Sequence, residues 1–322
     1  MPNKIQLGGD PSVPRGLPRL VKRHLKWMRM VNFSPRTIRA RFSQLNAFIK
    51  WCADHHLVKP RQVTKRFPEM YQRHVSTSRS AATVNHLCSG AQLGRLVAVR
   101  VFFKWMARKR VIRYSPAADI DLPRMEKRLP KIVLSHIQVE RVLALPDVST
   151  SLGLRDRAML EAFYSTGLRR LELIAIKLDE LCPERGLLTV NQGKGKKDRV
   201  VPIGRRALGW IYRYLDESRP VLAGRKRREQ VFLARNGEPR TPTGVSIPVR
   251  EYLDQAGIHV RGACHMFRHS MATAMLENGA DIRYIQEMLG HADLKTTQIY
   301  THVNPHKLKE IHALTHPADA AA

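Results

Sequence analysis

Five short stretches hold the side chains that could do chemistry: TGLRRLEL (166–173), GKGKKDRVVPI (193–203), HMFRH (265–269), LGH (289–291) and TTQIYTH (296–302). Each has a plain explanation when taken alone. Arg169 reads as a solvated helix arginine, and GKGKK as a basic hairpin turn. That turn is not a phosphate-cradling nucleotide loop, because no GxxxxGK[ST] is present. His265 and Arg268 lie one helical turn apart, as surface pairs often do. His291 reads as a loop histidine, and Tyr300 as a core tyrosine. The four cysteines, Cys52, Cys88, Cys182 and Cys264, form no CxxC pair and have no metal-ligand spacing. They read as reduced, mostly buried thiols.

Taken together, the stretches say more. The order Arg, Lys, His-x-x-Arg, His, Tyr resembles the tyrosine recombinase (phage integrase) family. TGLR, GKGxK, HxxRH, LGH and the nine-residue step from His291 to Tyr300 resemble its Xer-type branch. The resemblance covers about residues 131–310 closely. It extends more loosely over the N-terminal half, which is similar to the family's core-binding domain. It implies six catalytic residues: Arg169, Lys194, His265, Arg268, His291 and Tyr300. Glu172 matches the family's glutamate, with the implied role of bracing the arginine helix. Arg170-Leu171 departs from the family's small apolar residue followed by Ser or Gly, so Arg170 is either a further DNA contact or a surface charge.

The chemistry explains these residue types. A phosphodiester gathers charge on its non-bridging oxygens in the transition state, and two arginines hold those oxygens with permanently charged planar forks. The resemblance gives that role to Arg169 and Arg268. His265 and His291 would add donors aimed at the developing charge. A free tyrosine, with a pKa of about 10, is a weak nucleophile, and a cationic cluster lowers that value. Attack by Tyr300 would give a 3′-phosphotyrosyl link and a leaving 5′-oxygen. Lys194, on the hairpin turn, would protonate that oxygen, while Lys196 and Lys197 would touch phosphates. The covalent link stores the bond energy, so no nucleotide is expected, and no metal or other cofactor either.

These groups must be carried by folded elements. The chain has 322 residues and is 43% apolar, within the globular range and long enough for two domains. Its 56 Lys and Arg against 27 Asp and Glu give a net charge of +29. Such an excess calls for a polyanion, with double-stranded DNA the expected partner. No apolar run approaches membrane-spanning length and no signal peptide is apparent, so a cytoplasmic, nucleoid-associated protein without a membrane partner is expected.

Residues 1–16 read as a flexible leader, short for an added arm-type DNA-binding domain. Residues 17–113 read as an all-α, basic, DNA-binding bundle. Leu20, Val21, Leu25 and Met28 mark one helix face, and Ser34-Pro35 starts a second helix. Ile38, Phe42, Leu45, Ile49 and Cys52 follow on that helix at helical spacing. A later helix sets Leu93, Leu96, Val97 and Val101 against a face with Arg95, Arg100, Arg108, Lys109 and Trp105. Arg95 and Arg100 are candidate DNA contacts.

Residues 114–131 hold three prolines and read as a linker. The expected catalytic domain spans 132–314, with a tail at 315–322. In it, Ser135 and Gln138 form a capping-box pattern, and a helix near 154–166 stops at Gly167. Residues 187–190 and 199–203 read as a β-hairpin, and helices return near 205–218, 243–257, 265–277 and 281–289. The expected fold class is therefore mainly α with a small β-sheet: an N-terminal all-α core-binding domain and an α+β catalytic domain. After Tyr300, Val303, Leu308 and Ile311 mark a short amphipathic helix. It packs on its own domain or docks on a neighbour in a tetramer of this chain, or of this chain with a related recombinase, on synapsed DNA. A non-catalytic DNA-binding protein of the same fold and a type IB topoisomerase-like enzyme are the alternatives.

Overall fold

The computed structural model describes residues 8–10, 12–79, 86–123, 133–191, 198–260 and 262–290. The chain divides into two compact units, Met1–Lys127 and Arg128–Ala322.

The first unit is helical: α1 (Leu17–Met30), α2 (Pro35–Asp54), α3 (Arg66–Thr77) and α4 (Ser89–Arg108). Ser34 caps α2, its hydroxyl accepting from the Thr37 N–H with Pro35 at the first helical position. The expected stripe on α1 is buried. On α4 the facing differs from expectation, since Trp105 is buried and Val101 is 38% exposed. The cause is that α4 packs against α1, α2 and α3 at once. It buries two adjacent stripes, Leu96, Val99, Phe103 and Met106 beside Ala98, Phe102 and Trp105, so a single-stripe reading misplaces its edges. Gly8 of the expected leader donates its N–H to Asn46. At the other end, Ala117 and Ile120 are buried in this unit's core, so residues 114–123 of the expected linker pack on the first unit.

The second unit runs α5 (His136–Ala144), α6 (Ser151–Thr166), α7 (Arg170–Ala175), β1 (Leu181–Cys182), β2 (Leu187–Val190), β3 (Arg199–Pro202), α8 (Arg205–Arg213), α9 (Arg219–Ala223), α10 (Pro242–Gln255), α11 (Cys264–Glu277) and α12 (Ile282–Leu289). Ser135 and Gln138 form the expected capping box. Helix α6 begins at 151 rather than 154 because Thr150 caps it by accepting from the Gly153 N–H. The expected helix ending at 218 continues through a π turn, 214–218, into α9. The sheet is antiparallel, in the order β1-β2-β3, with Leu188 opposite Val201. Its third strand, β1, is two residues long and was not expected from the hydrophobic pattern.

Helix α6 is the centre of this unit. It buries residues around its whole circumference and packs against α5, α8 and α11, as a helix must when it is enclosed on all sides. The molecule is mainly α with one small sheet, the expected class. Among the described residues, no helix is long and apolar enough to cross a membrane. All four cysteines are free. Cys52 and Cys264 are buried, Cys182 is half-buried and Cys88 is exposed, so the expectation of mostly buried thiols holds for two of them.

Candidate active site

Two helix ends build the site. Helix α6 ends at Gly167 in the left-handed conformation, φ 61°, and α12 ends at Gly290, also φ 61°. Such a residue stops a helix and leaves its last carbonyls unbonded within the helix. Arginines take them up. Arg268, on the buried side of α11 and 4% exposed, donates to the Gly167 carbonyl at 2.6 Å and to the Leu289 carbonyl at 2.6 Å. Arg169, the N-cap residue of α7, donates to the Gly290 carbonyl at 3.1 Å. Helix C-termini carry partial negative charge, so guanidinium groups are favourable there.

Glu172 braces Arg169. Its carboxylate accepts from the Arg169 backbone N–H at 2.8 Å and from the guanidinium at 2.8 Å. Arg199 at the start of β3 grips the same carboxylate from another side, with two bonds of 3.0 and 2.9 Å, and donates through Nε to the Met288 carbonyl at 3.1 Å. Burial pushes the Glu172 pKa up, but hydrogen bonds and charge from Arg199 and Arg169 outweigh it and hold the pKa at about 2. The carboxylate is therefore ionised at any working pH.

His265 is exposed on the first turn of α11, three residues before Arg268. His269 is one turn beyond His265. Burial, and then the neighbouring His265 and Arg268, push its pKa down. Cys264 begins α11, where burial pushes its thiol pKa up. A raised thiol pKa disfavours the nucleophilic thiolate.

Three of the six expected catalytic residues are thus placed. Arg169 and Arg268 converge on consecutive carbonyls of the LGH stretch, and His265 lies on the helix that carries Arg268. Lys194, His291 and Tyr300 lie outside the described residues, as do Lys196, Lys197 and the expected helix through Val303, Leu308 and Ile311. Among the expected DNA contacts, Arg100 is exposed on α4 and Arg95 is half-buried there. Arg170 is half-buried and hydrogen-bonds to Ser246 of α10, which ties α7 to α10. Arg199 was not singled out from the sequence. A signal existed, because Arg199 and Val201 share a strand face by the two-residue period, and Val201 is core. A charged residue on a buried strand face needs a buried counter-ion, and Glu172 is that group. Among the described residues, no cluster of three or more His, Cys, Asp or Glu could hold a metal ion.

Residues 133–307 match the phage integrase family. A tyrosine recombinase of Ralstonia nicotianae, XerC 2, is 45% identical over 309 residues, covering 96% of this chain and 88% of its own. The chain belongs to the phage integrase family. It is an enzyme of the tyrosine recombinase class, which acts in site-specific DNA recombination. Tyrosine recombinase XerD of Lacticaseibacillus casei is 37% identical over 289 residues, covering 88% and 93% of the two chains. In structure, XerH site-specific recombinase bound to a palindromic difH substrate superposes with TM-score 0.71 at 20% identity, covering 91% of this chain and 83% of that one. At that identity the likeness speaks for the fold alone.

Proposed function

We propose that this recombinase cleaves and rejoins duplex DNA through a 3′-phosphotyrosyl link at Tyr300. The observation that carries the reading is the meeting of Arg169 and Arg268 at the Leu289 and Gly290 carbonyls. Two permanent cations from distant segments are fixed where the chain enters His291, nine residues before Tyr300. In this reading the arginines clamp the non-bridging oxygens of the scissile phosphate and stabilise the charge of the transition state. Their cationic field also favours the Tyr300 phenolate. His265 and His291 donate to the same oxygens, and Lys194 protonates the leaving 5′-oxygen. Each bond cut is stored as a phosphotyrosine, so religation needs no nucleotide.

The basic helical unit, residues 17–113, is the core-binding domain, and 132–314 is the catalytic domain. DNA relatives at this fold support duplex DNA as partner: the XerH structure holds its difH substrate, and a Tn1549 transposon integrase of TM-score 0.68 holds circular intermediate DNA. Strand exchange between two duplexes calls for four active sites, so a tetramer on paired sites is the working assembly, in the bacterial cytoplasm beside the nucleoid.

The test is a nicked suicide substrate built from duplex DNA flanking the encoding locus. Cleavage beside the nick releases a short 5′ fragment, religation fails, and a denaturation-resistant protein–DNA adduct accumulates in EDTA without nucleotide. Duplex binding with no adduct would instead support a non-catalytic member of the fold. Relaxation of single duplexes without paired sites would support topoisomerase-like activity.

A further inference from the structure

Arg199 has no part in the chemistry set out above, yet it is the most fully engaged of the three arginines at the site. Its side chain is 11% exposed. All three of its nitrogens are committed: Nη1 and Nη2 to the two oxygens of Glu172, and Nε to the Met288 carbonyl. With the two bonds from Arg169, the Glu172 carboxylate accepts four hydrogen bonds, two on each oxygen. That fills its acceptor capacity and fixes its orientation. The Nε bond reaches the last turn of α12, whose next two carbonyls hold Arg268 and Arg169. One guanidinium thus locks both the brace of Arg169 and the helix end on which Arg169 and Arg268 meet. A direct phosphate contact fits poorly with such burial and such full use of its donors.

We propose that Arg199 is a positioning residue for strand cleavage, setting Glu172 and the α12 terminus so that Arg169 and Arg268 face the scissile phosphate. The proposal rests on the phosphotyrosyl reading. Without Arg199, the Glu172 carboxylate has only Arg169 to satisfy it. The two then pair more tightly, and Arg169 turns from the phosphate toward the carboxylate. Lysine keeps the charge at 199 but cannot make a two-pronged bond with a third donor behind it.

The test measures single-turnover adduct formation on the nicked duplex at saturating protein, together with duplex affinity and melting temperature. The variants are Arg199→Met, Arg199→Lys, Glu172→Gln and Arg199→Met combined with Glu172→Gln. Arg199→Met and Arg199→Lys should each slow cleavage by about 10- to 100-fold, the scale of a misplaced catalytic group, with duplex affinity changed by less than about threefold. In the double variant the losses should fail to multiply, because both substitutions act through one carboxylate. A wild-type cleavage rate in Arg199→Lys overturns the proposal. So does an affinity loss as large as the cleavage loss, or multiplying losses in the double variant. If Arg199→Met does not fold, the Arg199→Lys rate and its affinity decide alone. A wild-type protein that forms no adduct overturns the phosphotyrosyl reading and this proposal with it. A wild-type adduct on Tyr300 with unimpaired Arg199 variants overturns this proposal only.

Discussion

Glu172 is 8% exposed and shared by two guanidinium groups, and that arrangement makes it the site's acid-sensitive point. Its pKa falls from 4.5 to about 2 on folding. The folded state therefore binds a proton less readily than the unfolded chain, and the ionised carboxylate stabilises the fold by about 3 kcal/mol above pH 4.5, at about 1.4 kcal/mol per pKa unit. That contribution declines as the pH drops from 4.5 and is gone below about 2. Denaturant melts of wild type and Glu172→Gln should show a stability gap that is full at pH 7 and narrows below pH 4.5. A gap independent of pH would contradict this account. At the two clamp positions, Arg169→Ala and Arg268→Ala should each lower cleavage by at least ~10²-fold, the scale of one lost charge-stabilising donor. Duplex binding should weaken far less, because much of the basic surface lies elsewhere. Near-normal cleavage would remove these residues from the clamp. For Lys194→Ala, a bridging 5′-phosphorothiolate should restore cleavage, since a thiolate leaves without a proton. The same substrate should not restore the arginine variants to a like degree, and absence of rescue would assign the acid elsewhere.

At the scale of elements, the decisive features are the two glycine-stopped helices. Gly290 combines a positive φ with a close neighbour: a Cβ there would lie 3.0–3.2 Å from the Arg199 side chain. Gly290→Ala should therefore cost about 1–3 kcal/mol and slow cleavage as well, because the strain falls on the group that holds Glu172. A denaturant midpoint and an adduct rate both like wild type would show that the α12 terminus has slack. Much of this was legible in the sequence. Capping residues, the Gly167 stop and the alternation of 187–190 and 199–203 mark their elements by local rules that neighbours do not override. Trp105 was not legible, because its burial depends on α4 being enclosed by three helices, which no single stripe reveals. Strand β1 was too short to carry a period. Arg199 was half legible: its place on a core-facing strand position demanded a partner, but only the fold shows that the partner already braces Arg169.

For the whole molecule, a charge of +29 spread over a basic helical unit and a cationic active site makes affinity for DNA mainly an exchange of counterions. Binding should weaken steeply with salt, with a log–log slope of about −0.9 per phosphate neutralised. A nearly flat dependence would contradict a phosphate-dominated interface. Affinity of this kind is shared by any basic DNA-binding protein, so it does not separate the enzyme from a non-catalytic relative of the same fold. Chemistry at one oxygen atom does. The most direct measurement is peptide mapping of the adduct that the intact protein forms on a nicked duplex in EDTA, run beside Tyr300→Phe, which keeps the ring and removes only the attacking oxygen. The account predicts phosphate on Tyr300, with normal duplex binding and no adduct in the variant. An adduct that persists in Tyr300→Phe, or one that forms only with added Mg²⁺, would contradict it.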